Sequence, residues 1–155
     1  MVYVGIDPGK NGGYAAIDTN NVDNSVDVAP WDDKGFAMFM CDLSRYTREK
    51  GDGMIAAVEK VGAMPGQGVT SMFNFGKSAG YIEGVLTALG IPYQLVMPKR
   101  WKQEFTLNGK DKAASIETCK RLFPDVSLRA SDRCRKDSDG MAEALLIAEF
   151  ARRKM

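Results

Sequence analysis

Short apolar runs, each stopped by glycine or an acid, fill the first sixty residues. Residues 2–6 (VYVGI) are apolar and rich in β-branched side chains, which predicts a strand. A Gly/Asn turn follows, and residues 12–18 (GGYAAID) read as the returning strand of a hairpin. Residues 25–29 predict a third strand. Phe36, Met40, Leu43 and Tyr46 then recur at helical spacing, so a helix runs to about residue 49, capped by Asp32 or Asp33 and stopped at Gly51-Asp52-Gly53. Residues 54–58 predict a buried strand ending on Glu59. After a loop at 64–68 come a helix over 73–89, a strand over 92–96, a helix over 110–123 and a last helix over 137–152.

An antiparallel meander feeding crossover units predicts a five-stranded mixed α/β sheet, three strands antiparallel and two parallel, with helices on both faces. The length of 155 residues suits one domain, 1–155, with a proper core. No internal repeat interrupts the reading.

Two predicted strands end on a lone carboxylate, Asp7 and Glu59. Ligand sites in open α/β sheets gather at the carboxyl ends of strands. If the first and fourth strands are parallel neighbours, Asp7 and Glu59 lie side by side there. The last helix adds Asp139 and Glu143, four apart and so on one face. Met141, Leu145, Ala148 and Ala151 supply part of its packing face. Clustered carboxylates repel unless a cation sits among them. Hard oxygen donors with no His or Cys beside them point to Mg²⁺, with Mn²⁺ able to substitute. Two such ions about 4 Å apart form a phosphodiester-cutting clamp. Each acid also has an ordinary reading: Asp7 as a turn residue, Glu59 as the partner of a lysine, Asp139 as a dipole-favoured helix start and Glu143 as helix surface.

Composition narrows the chemistry. The chain has no histidine, which removes His-based triads and His metal ligands. Cys41, Cys119 and Cys134 are odd in number and far apart, and read as reduced thiols in a cytoplasmic protein. No apolar run reaches membrane-span length, and no basic-then-apolar leader opens the chain. Net charge is only +1, but it is unevenly spread. Residues 1–58 hold nine acids and five bases, whereas residues 99–136 hold five acids and eleven bases. A basic segment set against an acidic centre suits a polyanion, although solvated helix faces give the same count.

The opening GIDPGKNGG, the strand end AAVEKV and the C-terminal KDSDGMAEALLIA resemble the RuvC family of Holliday-junction resolvases, in the RNase H-like superfamily. MPGQGVTSMFNFGKSAG followed by PYQLVMPKRWKQ is similar to its phage and organellar branch. The resemblance implies a homodimeric Mg²⁺-dependent endonuclease that nicks four-way or branched DNA symmetrically. It makes Asp7, Glu59 and Asp139 metal ligands. The bacterial enzymes carry two acids three residues apart on the last helix, but position 136 is Lys136, so Glu143 is the candidate fourth acid and Asp137 the reserve. Lys102 and Lys112 match basic positions near the scissile phosphate and DNA backbone, with Lys77, Lys99, Arg100 and Lys110 as further DNA contacts.

Where the family often places a junction-wedging aromatic, this chain has Gly62. The role falls to Phe73 or Phe75 or is absent, plain helix core being the alternative for both. Trp101 either stacks on a base or anchors the strand end, with anchoring preferred. Helix 73–89 offers Phe73, Ser78, Tyr81, Ile82, Val85 and Leu89 to a dimer partner. The rival readings are a ribonuclease H acting on RNA–DNA hybrids, an actin-like ATPase fragment, which 155 residues are too few to complete, and a junction-binding protein without catalysis. A phage origin fits the compact chain.

Overall fold

A computed structural model of the chain describes residues 1–20, 24–62, 66 and 68–155. Five strands form one sheet: β1 (Val2–Asp7), β2 (Gly13–Asp18), β3 (Ser25–Pro30), β4 (Met54–Glu59) and β5 (Tyr93–Val96). Their order is β3-β2-β1-β4-β5. The meander pairs antiparallel, while β1–β4 and β4–β5 pair parallel. The helices are α1 (Asp33–Lys50), α2 (Val69–Ala88), α3 (Pro98–Glu104), α4 (Lys112–Leu122) and α5 (Asp139–Lys154). The mixed sheet and the adjacent first and fourth strands are as the sequence predicts.

Strand alternation builds two cores. Val2, Val4 and Ile6 of β1 and Ala56 and Val58 of β4 pack against Phe36 and Met40 of α1 and Ile82 and Leu86 of α2. On the opposite face Ala15, Ile17 and Ala57 lie under α5, with Trp101 of α3 and Cys119 of α4 closing the layer. Every residue of α5 from Gly140 to Ala151 is buried. Its charged exceptions are Glu143 and Glu149. Glu149 is held by Arg152 and Arg153, which keep its carboxyl below the usual range against the cost of burial.

Glycines permit this close contact. A Cβ on Gly5 would lie 2.1 Å from the Ala144 carbonyl oxygen and 2.2 Å from the Ala148 nitrogen, so only glycine lets the α5 backbone rest on β1. At the start of α5, a Cβ on Gly140 would lie 2.0 Å from the Asn11 carbonyl oxygen. The β1–β2 turn and the first turn of α5 are therefore pressed together.

Local signals explain most helix ends. Asp32 caps α1 by accepting from the Gly35 N–H, and Gly51, at φ 69°, ends it in the left-handed conformation. Ser138 caps α5 and accepts from the Met141 N–H, so the helix starts at Asp139, not at Asp137. α2 starts at Val69, four residues before the expected position. α3 was not expected: residues 98–102 read only as a basic stretch, and seven residues are too few for an apolar stripe to repeat, although Pro98 at the first turn is a start signal. The loop predicted over 64–68 falls largely outside the described residues.

The dimer face read from helix 73–89 needs correcting. Ile82 is fully buried, and Tyr81, Val85 and Leu89 pack onto the same α1/α2 core. Those side chains attach α2 to its own sheet. The exposed apolar residues of α2 are Val69, Met72, Phe73 and Phe75.

Candidate active site at the carboxyl ends of β1 and β4

Parity sets the first two acids. Val2, Val4 and Ile6 point toward α1 and α2, so Asp7 belongs to the alternate set that faces α5. The same count places Ala57 and Glu59 on that face. Ile6 pairs with Val58, which makes Asp7 and Glu59 neighbours at the end of the parallel pair. α5 begins at this edge, held there by Gly140, and brings Asp139 in its first turn and Glu143 one turn later.

The electrostatics show how closely the four converge. Burial pushes the Asp7 carboxyl up to about 8, and the charges of Glu59, Glu143 and Asp139 push in the same direction while Lys112 opposes them. Glu59 is also raised, chiefly by burial and further by Glu143, with the Trp101 hydrogen bond and Lys102 acting the other way. Asp7, half-buried, therefore sits in an excess of negative charge that Lys112 only partly offsets.

The outer acids are each drawn to a local partner. Trp101, fully buried, donates its indole N–H to Glu59 Oε2 at 2.6 Å. This settles Trp101 as a buried anchor, not a base-stacking platform. Ser115 Oγ donates to Glu143 Oε1 at 3.1 Å, and Lys102 Nζ stands 3.6 Å from the same oxygen. Lys112 pairs with Asp139, and the Lys112 ammonium is held above its usual range first by that bond. Asp137 pairs instead with Lys120 of α4 at 2.5 Å and is not among the charges acting on Asp7. Of the two candidates for the fourth acid, the fold thus brings Glu143 to Asp7.

The donor chemistry suits a hard divalent cation: four carboxylates, no imidazole, and a half-buried centre short of positive charge. As arranged, no three acidic or thiol side chains among the described residues stand close enough to grip one ion directly.

The predicted DNA-contacting residues divide. Lys102 and Lys112 border the acids directly. Lys99 and Lys110 are exposed at the two ends of the segment that carries α3. Arg100 turns away, its guanidinium 5.8 Å from the Phe150 ring centre near the end of α5. Phe73 is 71% exposed and Phe75 38% exposed, so neither is plain helix core. Phe75 and Lys77 line a cleft on the other side of the β1–β2 turn. Arg129, Arg133, Arg135 and Lys136 are exposed in the segment that leads into α5, so a basic rim adjoins the acidic centre.

The hydrogen-bonding roles of Trp101 and Ser115 toward the acids were not read from the sequence. For Ser115 a signal existed: Lys112, Ser115 and Cys119 follow helical spacing on one face of α4, and that face meets α5.

No family model and no curated protein matches the chain. Solved structures do. Thermus thermophilus RuvC superposes with TM-score 0.56 at 18% identity, over 99% of this chain and 96% of that one. RuvC of the same organism in complex with a Holliday junction substrate gives TM-score 0.59 at 16% identity, over 99% and 97%. The fowlpox virus Holliday junction resolvase gives TM-score 0.57 at 18% identity, over the whole of both chains. With its 3-2-1-4-5 sheet and flanking helices, the chain has the RNase H-like fold of the RuvC-like resolvases.

Proposed function

We propose that this protein is a structure-selective DNA endonuclease that resolves four-way and branched junctions by paired nicks. The observation that carries the reading is that Glu59, Asp139 and Glu143 all act on the half-buried Asp7, at the carboxyl edge of a RuvC-like sheet. Asp7, Glu59, Asp139 and Glu143 would hold Mg²⁺, or Mn²⁺ in its place. Bound there, the ions supply an activated water and stabilise the leaving oxygen of a phosphodiester.

The protein's own groups do the rest. Asp7, once deprotonated, would be one of the carboxylates that hold the cation. Trp101 and Ser115 aim the carboxylates of Glu59 and Glu143 through their hydrogen bonds. Lys102, beside Glu143, and Lys112, once it leaves Asp139, are placed to meet the scissile phosphate. The rim from Lys99 to Lys136 grips DNA arms through phosphates, largely by shape. A two-fold junction calls for a two-fold protein, so two chains act together. Among the described residues no helix is long and apolar enough to cross a membrane, and the reduced thiols suit a cytoplasmic site of action.

The test uses a synthetic four-way junction, the matched duplex and an RNA–DNA hybrid, each with Mg²⁺ or EDTA. Symmetric nicks in the junction alone, lost with EDTA and with Asp7→Asn, are expected. Cutting of the hybrid alone would make the protein a ribonuclease H. Tight junction binding without cutting under any divalent ion would make it a binding protein.

A further inference from the structure

A cleft of about 500 Å³ opens beside the turn that follows Asp7, between that turn, the start of α1 and α2. It exists because of what one stripe of α2 carries. In its C-terminal half the stripe holds Ile82 and Leu86, which fill the core. Further toward the N-terminus the same side presents Ser71, Asn74 and Ser78, too small or too polar to close the gap, with Phe75 at its border. Two aromatic walls are fixed in place. Trp31 is stacked on Phe36, ring centres 5.1 Å apart, and donates its indole N–H to Asp33 Oδ1 at 2.9 Å. Tyr81 donates its hydroxyl to the Asp33 carbonyl oxygen at 2.6 Å. Phe75 is the third aromatic and belongs to neither core. The exposed ammonium groups of Lys10 and Lys77 complete the lining, against the single carboxylate of Asp33, which the Trp31 indole already engages.

Flat apolar walls, small hydrogen-bonding side chains and a net positive rim match a nucleobase still attached to its phosphates. We propose that this cleft takes an unpaired nucleotide of the branched DNA, its base between Trp31, Tyr81 and Phe75 and its flanking phosphates on Lys10 and Lys77. The proposal rests on the junction-nuclease reading above. Lys10 lies three residues after Asp7, so a nucleotide held here is held next to the strand to be cut. A base pair at a crossover lacks a stacked neighbour on one side and opens at lower cost than one inside a duplex, so the cleft favours branched over linear DNA.

The experiment measures binding without divalent ions to a four-way junction, the same junction with abasic nucleotides at the crossover, and linear duplex. Ser71→Trp fills the cleft from an exposed position in the first turn of α2, and Lys10→Glu reverses the charge at its rim. Ser71→Trp is expected to weaken junction binding about tenfold and leave duplex binding unchanged. The abasic junction is expected to bind the unaltered protein about tenfold more weakly, and Ser71→Trp no worse than that. Lys10→Glu should weaken junction binding more than duplex binding. Equal affinity of the unaltered protein for intact and abasic junctions would overturn the cleft proposal alone. Equal affinity for junction and duplex would overturn the junction-nuclease reading and the cleft with it.

Discussion

Asp7 is a carboxylate that the fold holds in its least comfortable place. Its pKa, moved from 3.8 to about 8 by burial and by neighbouring acids, means that the folded chain keeps a proton there which the unfolded chain has lost. Stability from this group is therefore full below about pH 4 and falls as pH rises toward 8. Asp7→Asn removes the penalty. Calorimetry without divalent ions should find the variant melting higher, by about 2–4 °C for each kcal/mol of relieved repulsion, with a larger gap at pH 8 than at pH 5. The same variant should lose nicking entirely. Mn²⁺ titrations of the unaltered protein should show a proton released on binding below pH 8 and an apparent affinity that rises toward it. Trp101→Phe keeps the buried ring but removes the donor to Glu59. Urea unfolding should show a loss of about 1.5–3 kcal/mol, and Mn²⁺ affinity should fall with it.

At the scale of elements, glycine decides where α5 lies. A methyl group on Gly140 meets the Asn11 carbonyl oxygen at 2.0 Å, so Gly140→Ala lifts the first turn of α5 from the β1–β2 turn and carries Asp139 away from Asp7. Displacement of a reacting group by about 1 Å costs about a hundredfold in rate, and nicking assays of Gly140→Ala should show a loss of that order beside a lower melting point. Gly84→Ala is the contrast. Nothing lies within 4 Å of its added methyl, and an alanine inside α2 should stabilise the chain by about 0.5–1 kcal/mol in the same scan. Element types were legible wherever apolar spacing repeated: β1, β2, β4, α1 and α5 sit within about two residues of expectation. α3 was not, because one turn and a half gives periodicity nothing to repeat. α2 extends to Val69 over residues whose exposed side chains leave no amphipathic trace.

For the whole molecule, the proposed function makes charge and symmetry govern the encounter with DNA. The basic rim predicts binding that weakens steeply with salt. Lys99→Ala and Lys110→Ala should each lower affinity for every DNA shape and reduce the slope of log affinity against log salt by about 1, measured by fluorescence anisotropy from 50 to 200 mM salt. An unchanged slope would remove those lysines from the phosphate contacts. The exposed apolar surface of α2 at Val69 and Phe73 is where a second chain would dock if the protein acts as a pair. Sedimentation should give two chains per particle, and Phe73→Asp should shift that toward one.

Short apolar runs that each stop on an acid were enough, without any structure, to put Asp7 and Glu59 at the ends of strands. Helical spacing was enough to put Asp139 and Glu143 on one face. Those are local periodicities, written in neighbouring residues. Which of Glu143 and Asp137 comes to lie beside Asp7 was not local: it depends on where Ser138 starts α5 and on Lys120 of α4 claiming Asp137. Which acid each partner meets was likewise hidden, even where helical spacing put Ser115 on the inner face of α4, since Trp101 reaches Glu59 across 42 positions and Ser115 reaches Glu143 across 28. So was the cleft beside Asp7, which is a gap between α2 and the turn. A sequence states what each face of an element carries, but which faces meet, and what they fail to fill, is set only when the elements pack.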